Sequence, residues 1–213
     1  MRIIDLSTWP RRRHLAFFSA FAYPHFNLCV SVDITALRAL VQQRTVPFTI
    51  ALVYILTRAA NGIPEFRYRI RGKQVVEHDI VHPSIIVLTS EELFSFCAIP
   101  YTEDFASFAV RAAEEMARAK EQVILEDGPG RDDLLFMTGL PWVAFTGLQH
   151  PIHRDPVDSV PRIAWGKFTA EGSRVQMPLA IQAHHALVDG LHVGRYLEQA
   201  QDLLDRAAQL FSH

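Results

Sequence analysis

The sequence predicts an α/β fold in which helices pack on a mixed β-sheet. Three observations predict it: apolar and β-branched runs of strand length, longer amphipathic or apolar runs of helix length, and an order of these runs that does not alternate strictly. Hydrophobic residues make up 49% of the 213 residues and charged residues 21%, as in an ordinary globular protein. Since no repeat, low-complexity tract or linker divides the chain, residues 1–213 are expected to form one domain.

The overall charge and the apolar runs argue against two classes of partner. The formal net charge is -2 and the isoelectric point is near 6.5, so the basic surface that nucleic acid requires is not expected. Residues 1–9 contain no long apolar segment, and later apolar stretches are interrupted by charge, so no signal peptide or membrane anchor is expected. Cys29 and Cys97 stand in apolar surroundings and are expected to be reduced, which favours the cytoplasm.

The first half of the chain is expected to supply a short helix, a strand, two longer helices and two pairs of strands. Pro10 is tolerated in the first turn of a helix, and Asp33 is a helix-capping residue type after an apolar run. The run 48–61 is apolar all round, which is typical of a buried helix. The expected elements are a helix starting at 9–14, a strand at 25–32, helices at 34–43 and 48–61, and strands at 66–70, 74–78, 84–89 and 93–99.

The second half is expected to contain one amphipathic helix, further strands and a closing helix. An apolar stripe through Phe105, Phe108, Ala112 and Met116 predicts the first helix. Residues 149–161 are rich in Pro, His and Asp and are expected to form an exposed loop. The expected elements are a helix at 104–122, strands at 134–137, 142–146 and 163–168, a strand leading to His184, and a helix after Gly190.

A pair of histidines closes the last of these strands. Residues 177–181 are apolar on both faces, which is typical of a strand inside a sheet, and His184 and His185 follow. A neutral imidazole held at a strand end is a usable base near pH 7. Asp189 comes four residues after His185, and Gly190 permits the sharp turn into a helix. A buried histidine pair without chemistry and a zinc site are the alternatives, but no third metal ligand stands at a recognisable spacing.

The run from Pro178 to Gly190, continued by His192-Val193-Gly194-Arg195, resembles the His-His-x-x-x-Asp-Gly signature of CoA-dependent acyltransferases. Its flanks are similar to the trimeric chloramphenicol acetyltransferase family. The resemblance implies a two-layer sandwich of the CoA-dependent acyltransferase type. It also implies acetyl transfer from acetyl-CoA to a hydroxyl of chloramphenicol or a similar small acceptor, with His185 as general base, His184 as a structural residue and no metal.

Two further stretches carry the same resemblance. The run Trp9-Pro10-Arg11-Arg12-Arg13-His14-Leu15 is similar to the family's N-terminal motif, which implies that Arg11 pairs with Asp189. Pro64-Glu65-Phe66-Arg67 and Val81-His82-Pro83 also recur in the family. The resemblance implies a homotrimer with active sites between subunits, in which His185 of one chain faces the neighbour's aromatic residues. The residues expected to line the acceptor pocket are Phe17, Phe18, Pro24, Phe26, Phe94 and Phe96. Phe96 is larger than the family's usual residue there and is expected to narrow the pocket.

The sequence departs from the family where the tetrahedral oxyanion would be stabilised. Residues 140–148 are similar to the family stretch Pro-Trp-Val-x-Phe-x-Ser-Phe, and the serine that donates to the oxyanion is Gly147 here. The family threonine that orders a nearby water is Ala164. Thr146 adjoins Gly147, but in the strand predicted there its side chain would point to the opposite face. Three hypotheses therefore stay open: an acetyltransferase that is slow or uses another donor, an acyltransferase with a different acceptor, or a non-catalytic trimer that binds CoA or a small aromatic molecule.

Overall fold

The computed structural model describes residues 1–44, 46–128 and 130–211, and it confirms the predicted α/β class. The helices are α1 Arg12–Phe18, α2 Thr35–Gln43, α3 Phe48–Asn61, α4 Phe105–Glu121, α5 Gly190–Asp205 and α6 Ala207–Leu210, and Pro64–Arg67 forms a 3₁₀ turn. The strands are β1 Arg2–Ile3, β2 His25–Asp33, β3 Tyr68–Arg71, β4 Gln74–Glu77, β5 His82–Leu88, β6 Phe94–Ala98, β7 Leu134–Leu140, β8 Arg162–Gly166, β9 Thr169–Glu171 and β10 Arg174–His184.

Most of the strands form one mixed sheet, as predicted. Its order is β2-β10-β8-β7-β5-β6, with β9 paired to β10, while β1, β4 and β3 form a separate small sheet. The pairs β5–β7 and β7–β8 are parallel, and the other pairs are antiparallel. β10 is an interior strand between β2 and β8, which accounts for its apolar residues on both faces.

The helices cover one face of the large sheet. α2 contacts β10, α3 contacts β5, α4 contacts β5 and β6, and α5 contacts β2. α3 is buried almost throughout because α2, α4 and α5 pack around it. Its sequence is apolar all round for that reason. Among the described residues, none of the helices combines the length and apolar character needed to cross a membrane.

A row of residues with small side chains lies on the face opposite the helices. Thr138, Ala164, Ala180 and Cys29 are successive partners in the ladders of β7, β8, β10 and β2, so they share one face. The segment that follows β7 crosses this face. The backbone N–H of Lys167 donates to the carbonyl of Val143 at 2.8 Å.

The predicted strand at 142–146 is wrong. Its aromatic and β-branched residues favour a strand, but the segment makes no ladder, and Trp142 and Val143 are 66% and 53% exposed. The physical reason is the parallel pairing of β7 with β8. The chain that leaves the end of β7 must return to the other end of the sheet before β8 can begin, so it crosses the sheet instead of joining it. The other predicted elements are present with boundaries shifted by a few residues.

Candidate active site

The loop after β10 is fixed at both ends by backbone hydrogen bonds. The N–H of His185 donates to the carbonyl of Pro24 at 2.8 Å, and the N–H groups of Leu187 and Val188 donate to the carbonyl of His184 at 3.0 Å. At the other end Asp189 caps α5, because its Oδ1 accepts the N–H of Leu191 at 3.1 Å. His185 therefore sits in a short, well-defined turn between a buried strand and a helix.

The imidazole of His185 is held between two aromatic rings of its own chain. The ring of Phe18 stacks on it at a centroid distance of 4.3 Å and an interplanar angle of 11°, and the ring of Phe26 lies 4.7 Å away at 42°. The Nδ1 atom is buried and has no hydrogen-bond partner among the described residues. The plane of the ring therefore depends on the two aromatic contacts.

The guanidinium of Arg11 binds this loop at three points. Its Nη1 lies 2.6 Å from Oδ2 of Asp189, while its Nε and Nη2 donate to the carbonyls of Ala186 and His185, each at 3.1 Å. The ion pair that the resemblance implies is thus present. Burial raises the pKa of Asp189, but the hydrogen bond from Arg11 and the charge of Arg11 outweigh it and hold the pKa below its usual value. The carboxylate is therefore ionised at neutral pH.

His184 lies behind the turn in the protein interior. Its Nδ1 accepts the N–H of Ala186 at 3.2 Å, and its ring packs edge-on against His25 at 5.0 Å. Burial lowers the pKa of His184 to about 4, so the ring is neutral at pH 7. Its contacts are structural, as expected.

The residues expected near the oxyanion lie on the open face of the sheet, that is, the face opposite the helices. Thr146 and Gly147 are exposed, and the next residue, Leu148, accepts a hydrogen bond at its carbonyl from Asn27. Asn27 pairs with Gln182, three residues before His185, so this segment passes beside the histidine-bearing strand. Because residues 142–146 are not a strand, the side chains at positions 146 and 147 need not point to opposite faces. Ala164 is fully buried in β8.

The six residues expected to line the acceptor pocket fall into two groups. Phe18 and Phe26 contact His185 directly, Phe17 packs on Phe18 at 5.1 Å, and the carbonyl of Pro24 accepts the His185 N–H. Phe94 and Phe96 lie on β6, four strands away from β10. Phe18 and Phe26 therefore pack against the histidine of their own chain, and the expectation that a neighbouring chain's aromatic residues face His185 stays a prediction.

Two polar residues beside the loop were given no role by sequence reasoning. The Nδ1 of His192 lies 3.1 Å from the backbone N of Asp189, and its Nε2 lies 3.4 Å from Oε1 of Glu65. A signal for the first contact was available: Asp189 and His192 have the Ncap–N3 spacing of a capping box, with His in place of the usual Glu or Gln. Nothing in the sequence could reveal the contact with Glu65, which lies over a hundred residues earlier.

Within residues 1–44, 46–128 and 130–211, no group of three or more His, Cys, Asp or Glu side chains is placed to hold a metal ion.

Comparison with known proteins agrees with this geometry. The family model described as chloramphenicol acetyltransferase matches residues 1–201. The chain belongs to the chloramphenicol acetyltransferase family. An Escherichia coli chloramphenicol acetyltransferase is 34% identical over 203 residues, covering 95% of this chain and 93% of the relative. A solved chloramphenicol acetyltransferase structure superposes with a TM-score of 0.83 at 26% identity, covering 95% of this chain and 99% of the other.

A more distant structure shares the fold alone. The cubic core of the pyruvate dehydrogenase multienzyme complex superposes with a TM-score of 0.68 at 20% identity, covering 93% of this chain and 88% of that one.

Membership in the chloramphenicol acetyltransferase family makes this chain a CoA-dependent acetyltransferase.

Replacing Arg11 with Ala should lower both stability and activity. The change leaves the Asp189 carboxylate without its cation and two loop carbonyls without a donor. Because the Asp189 side chain is 30% exposed, the free energy of unfolding at pH 7 should fall by about 2–3 kcal/mol, less than for a fully buried pair. Urea unfolding measures the loss, and Arg11→Lys, which restores the charge, should recover part of it.

The same variant should respond to pH in a defined direction. The folded-state pKa of Asp189 is lowered, so its contribution is present above its unfolded pKa of about 3.9 and is lost as the pH falls through the folded value. The stability difference between the parent and Arg11→Ala should therefore shrink below about pH 4. A variant as stable and active as the parent at pH 7 would show that Arg11 is only a surface charge.

Proposed function

We propose that this chain transfers the acetyl group of acetyl-CoA to a hydroxyl of chloramphenicol, with His185 as the general base. The observation that carries the proposal is the His185 imidazole, packed between Phe18 and Phe26 in a loop that Arg11 and Asp189 hold. The chloramphenicol acetyltransferases that this chain is similar to support the substrate.

The reaction needs one base and no covalent enzyme intermediate. The imidazole accepts the hydroxyl proton while the hydroxyl oxygen attacks the thioester carbon, which produces a tetrahedral oxyanion. Collapse of that intermediate breaks the bond from carbon to sulfur, and the imidazolium returns the proton to the CoA sulfur. The base is thereby regenerated. Arg11 and Asp189 contact no reacting atom in this scheme. They act by holding the loop that carries His185.

The proposal has a direct test in CoA thiol release. Thiol release from acetyl-CoA should rise when chloramphenicol is added, and His185→Ala should abolish the rise while circular dichroism and the melting temperature stay close to those of the parent. Release that ignores chloramphenicol would exclude it as the acceptor. Unchanged turnover in His185→Ala would exclude His185 as the base.

The missing oxyanion hydroxyls should make the parent enzyme slow. Losing one such donor costs about 10²–10³-fold in turnover. Gly147 stands at the serine position, its φ lies outside the left-handed region, and a Cβ added there would meet no atom within 4 Å. Ala164, in contrast, is fully buried, so a hydroxyl-bearing side chain there would have to displace its neighbours.

Gly147→Ser should therefore increase the turnover number. If the added hydroxyl reaches the oxyanion, kcat should rise by up to about 10²-fold with little change in stability. Gly147→Ala is the matched control, because it adds the same Cβ without a donor, and it should give no increase. Equal rates for Gly147→Ser and Gly147→Ala would mean that residue 147 does not face the oxyanion.

We propose that the enzyme is a homotrimer whose acceptor pocket is shared between chains. Phe96 lies four strand spacings from the histidine-bearing strand, which is about 19 Å across the sheet. One acceptor as small as chloramphenicol cannot contact both Phe96 and His185 of a single chain. If both line one pocket, as the family resemblance implies, the histidine and the open sheet face come from different copies. The exposed Trp142 and Val143 on that face support a subunit interface.

Mixing inactive chains tests this arrangement. A His185→Ala chain co-refolded with a Phe96→Asp chain should regain activity at about a quarter of the sites, since each site needs one chain of each kind in a fixed order. The matched control replaces Phe96→Asp with Phe26→Asp. Phe26 packs on the histidine of its own chain, so this mixture should stay inactive. Light scattering that shows a monomer, or no recovery in the first mixture, would contradict the shared site.

We also propose that the protein is cytoplasmic and forms one domain. Cys29 and Cys97 are both free thiols, and burial raises the pKa of Cys97 to about 12, which keeps it protonated and unreactive. One apolar core includes residues from Trp9 to Phe211, which supports a single folding unit for residues 1–213.

A further inference from the structure

The 3₁₀ turn Pro64–Arg67 docks against the helix that follows the histidine loop. The ring of Phe66 stacks on Tyr196 of α5 at 4.7 Å and 21°, and both residues are fully buried. This stacking holds the neighbouring Glu65 beside the first turn of α5, where its Oε1 lies 3.4 Å from Nε2 of His192. The motif therefore places one carboxylate against one buried imidazole, a contact that the reaction scheme leaves unused.

The other ring nitrogen of His192 faces the active-site loop. Its Nδ1 lies 3.1 Å from the backbone N of Asp189 and 3.0 Å from the Oδ1 of the same residue. The backbone N–H can only donate, so Nδ1 accepts it through a lone pair, and the Asp189 Oδ1 at 3.0 Å opposes this tautomer unless another group stabilises a proton on Nε2. Burial lowers the pKa of His192, although Glu65 and Asp189 act to raise it, so the ring is neutral at pH 7. The single proton then belongs on Nε2, facing Glu65.

We propose that Glu65 and His192 are positioning residues for acetyl transfer, an inference that rests on the proposed function. The Glu65 carboxylate selects the tautomer of His192 with the proton on Nε2. His192 in that tautomer accepts the Asp189 N–H and fixes the main chain there. Arg11 fixes the Asp189 side chain and binds the His185 carbonyl. The contacts thus run without a break from Glu65 to the loop that carries the base.

A purely structural role of His192 and a positioning role predict different effects on activity when the side chain is removed. If His192 only caps α5, its loss should cost about 1 kcal/mol of stability and should reduce activity only by the fraction of protein that unfolds. If it positions the loop, a displacement of about 1 Å at His185 should lower kcat by up to about 10²-fold while binding of both substrates is kept. The split between kcat and KM therefore separates the two roles.

Two pairs of variants test the proposal in the full-length enzyme. Glu65→Leu and His192→Leu should each lower kcat by about 10–10²-fold, with KM for acetyl-CoA and chloramphenicol close to that of the parent. Glu65→Gln keeps an acceptor oxygen, and His192→Gln supplies the usual capping-box side chain, so each should recover most of the activity lost in its Leu counterpart. Glu198→Leu, the same change at an exposed position of α5, is the matched control and should behave as the parent.

A second readout does not depend on activity. The ¹⁵N chemical shifts of the His192 ring in the parent enzyme at pH 7 should show a protonated Nε2 and an unprotonated Nδ1, and Glu65→Leu should shift this balance. A proton on Nδ1 in the parent would overturn the proposal. So would Leu variants with the parent's kcat, or with losses matched by their unfolded fraction. A parent that transfers no acetyl group would overturn the proposed function instead, and the ring shifts would still decide whether Glu65 sets the tautomer.

Discussion

The arrangement of the site depends on one guanidinium. Arg11 binds the carbonyls of His185 and Ala186 and the carboxylate of Asp189, and so ties the N-terminal helix to a loop near the other end of the chain. Phe18 lies seven residues further on, about two helical turns, so it projects from the same side of the helix and reaches the His185 ring. The segment from Arg11 to Phe18 therefore supplies the cation that holds the loop and one of the two rings that orient the imidazole.

The order of the strands in the large sheet determines where the other expected site residues lie. Parallel pairing of β7 with β8 sends the connection between them across the open face, which carries Gly147 past the histidine-bearing strand. The same order leaves Phe96 at the far edge of the sheet. The base with its aromatic packing and Phe96 thus lie on separate parts of one chain. A second copy can bring them together.

Sequence patterns predicted the elements that are set by local chemistry. The apolar strand before His184, the wholly apolar α3 and the Asp189 turn were all recognisable, because burial and capping leave clear residue patterns. The strand predicted at 142–146 failed because its composition could not show that the parallel pairing of β7 with β8 sends this segment across the sheet. The family resemblance named Phe18 and Phe26 as site residues but did not reveal that both rings pack on the histidine of their own chain. The contact between Glu65 and His192 depends on how a turn and a helix dock, which no spacing within the sequence records.

The contacts around His185 fit a loop that holds an imidazole for chemistry. A buried ion pair is weak evidence for stability, since apolar replacements of the same volume are often neutral or stabilising. The buried Nδ1 of His185 has no hydrogen-bond partner among the described residues, so aromatic packing orients the ring. The ion pair and the aromatic packing are both explained if the loop must hold the His185 imidazole in one orientation. The absence of hydroxyl side chains at Gly147 and Ala164 weakens oxyanion stabilisation and leaves proton transfer unaffected, because the two effects act on different atoms of the transition state.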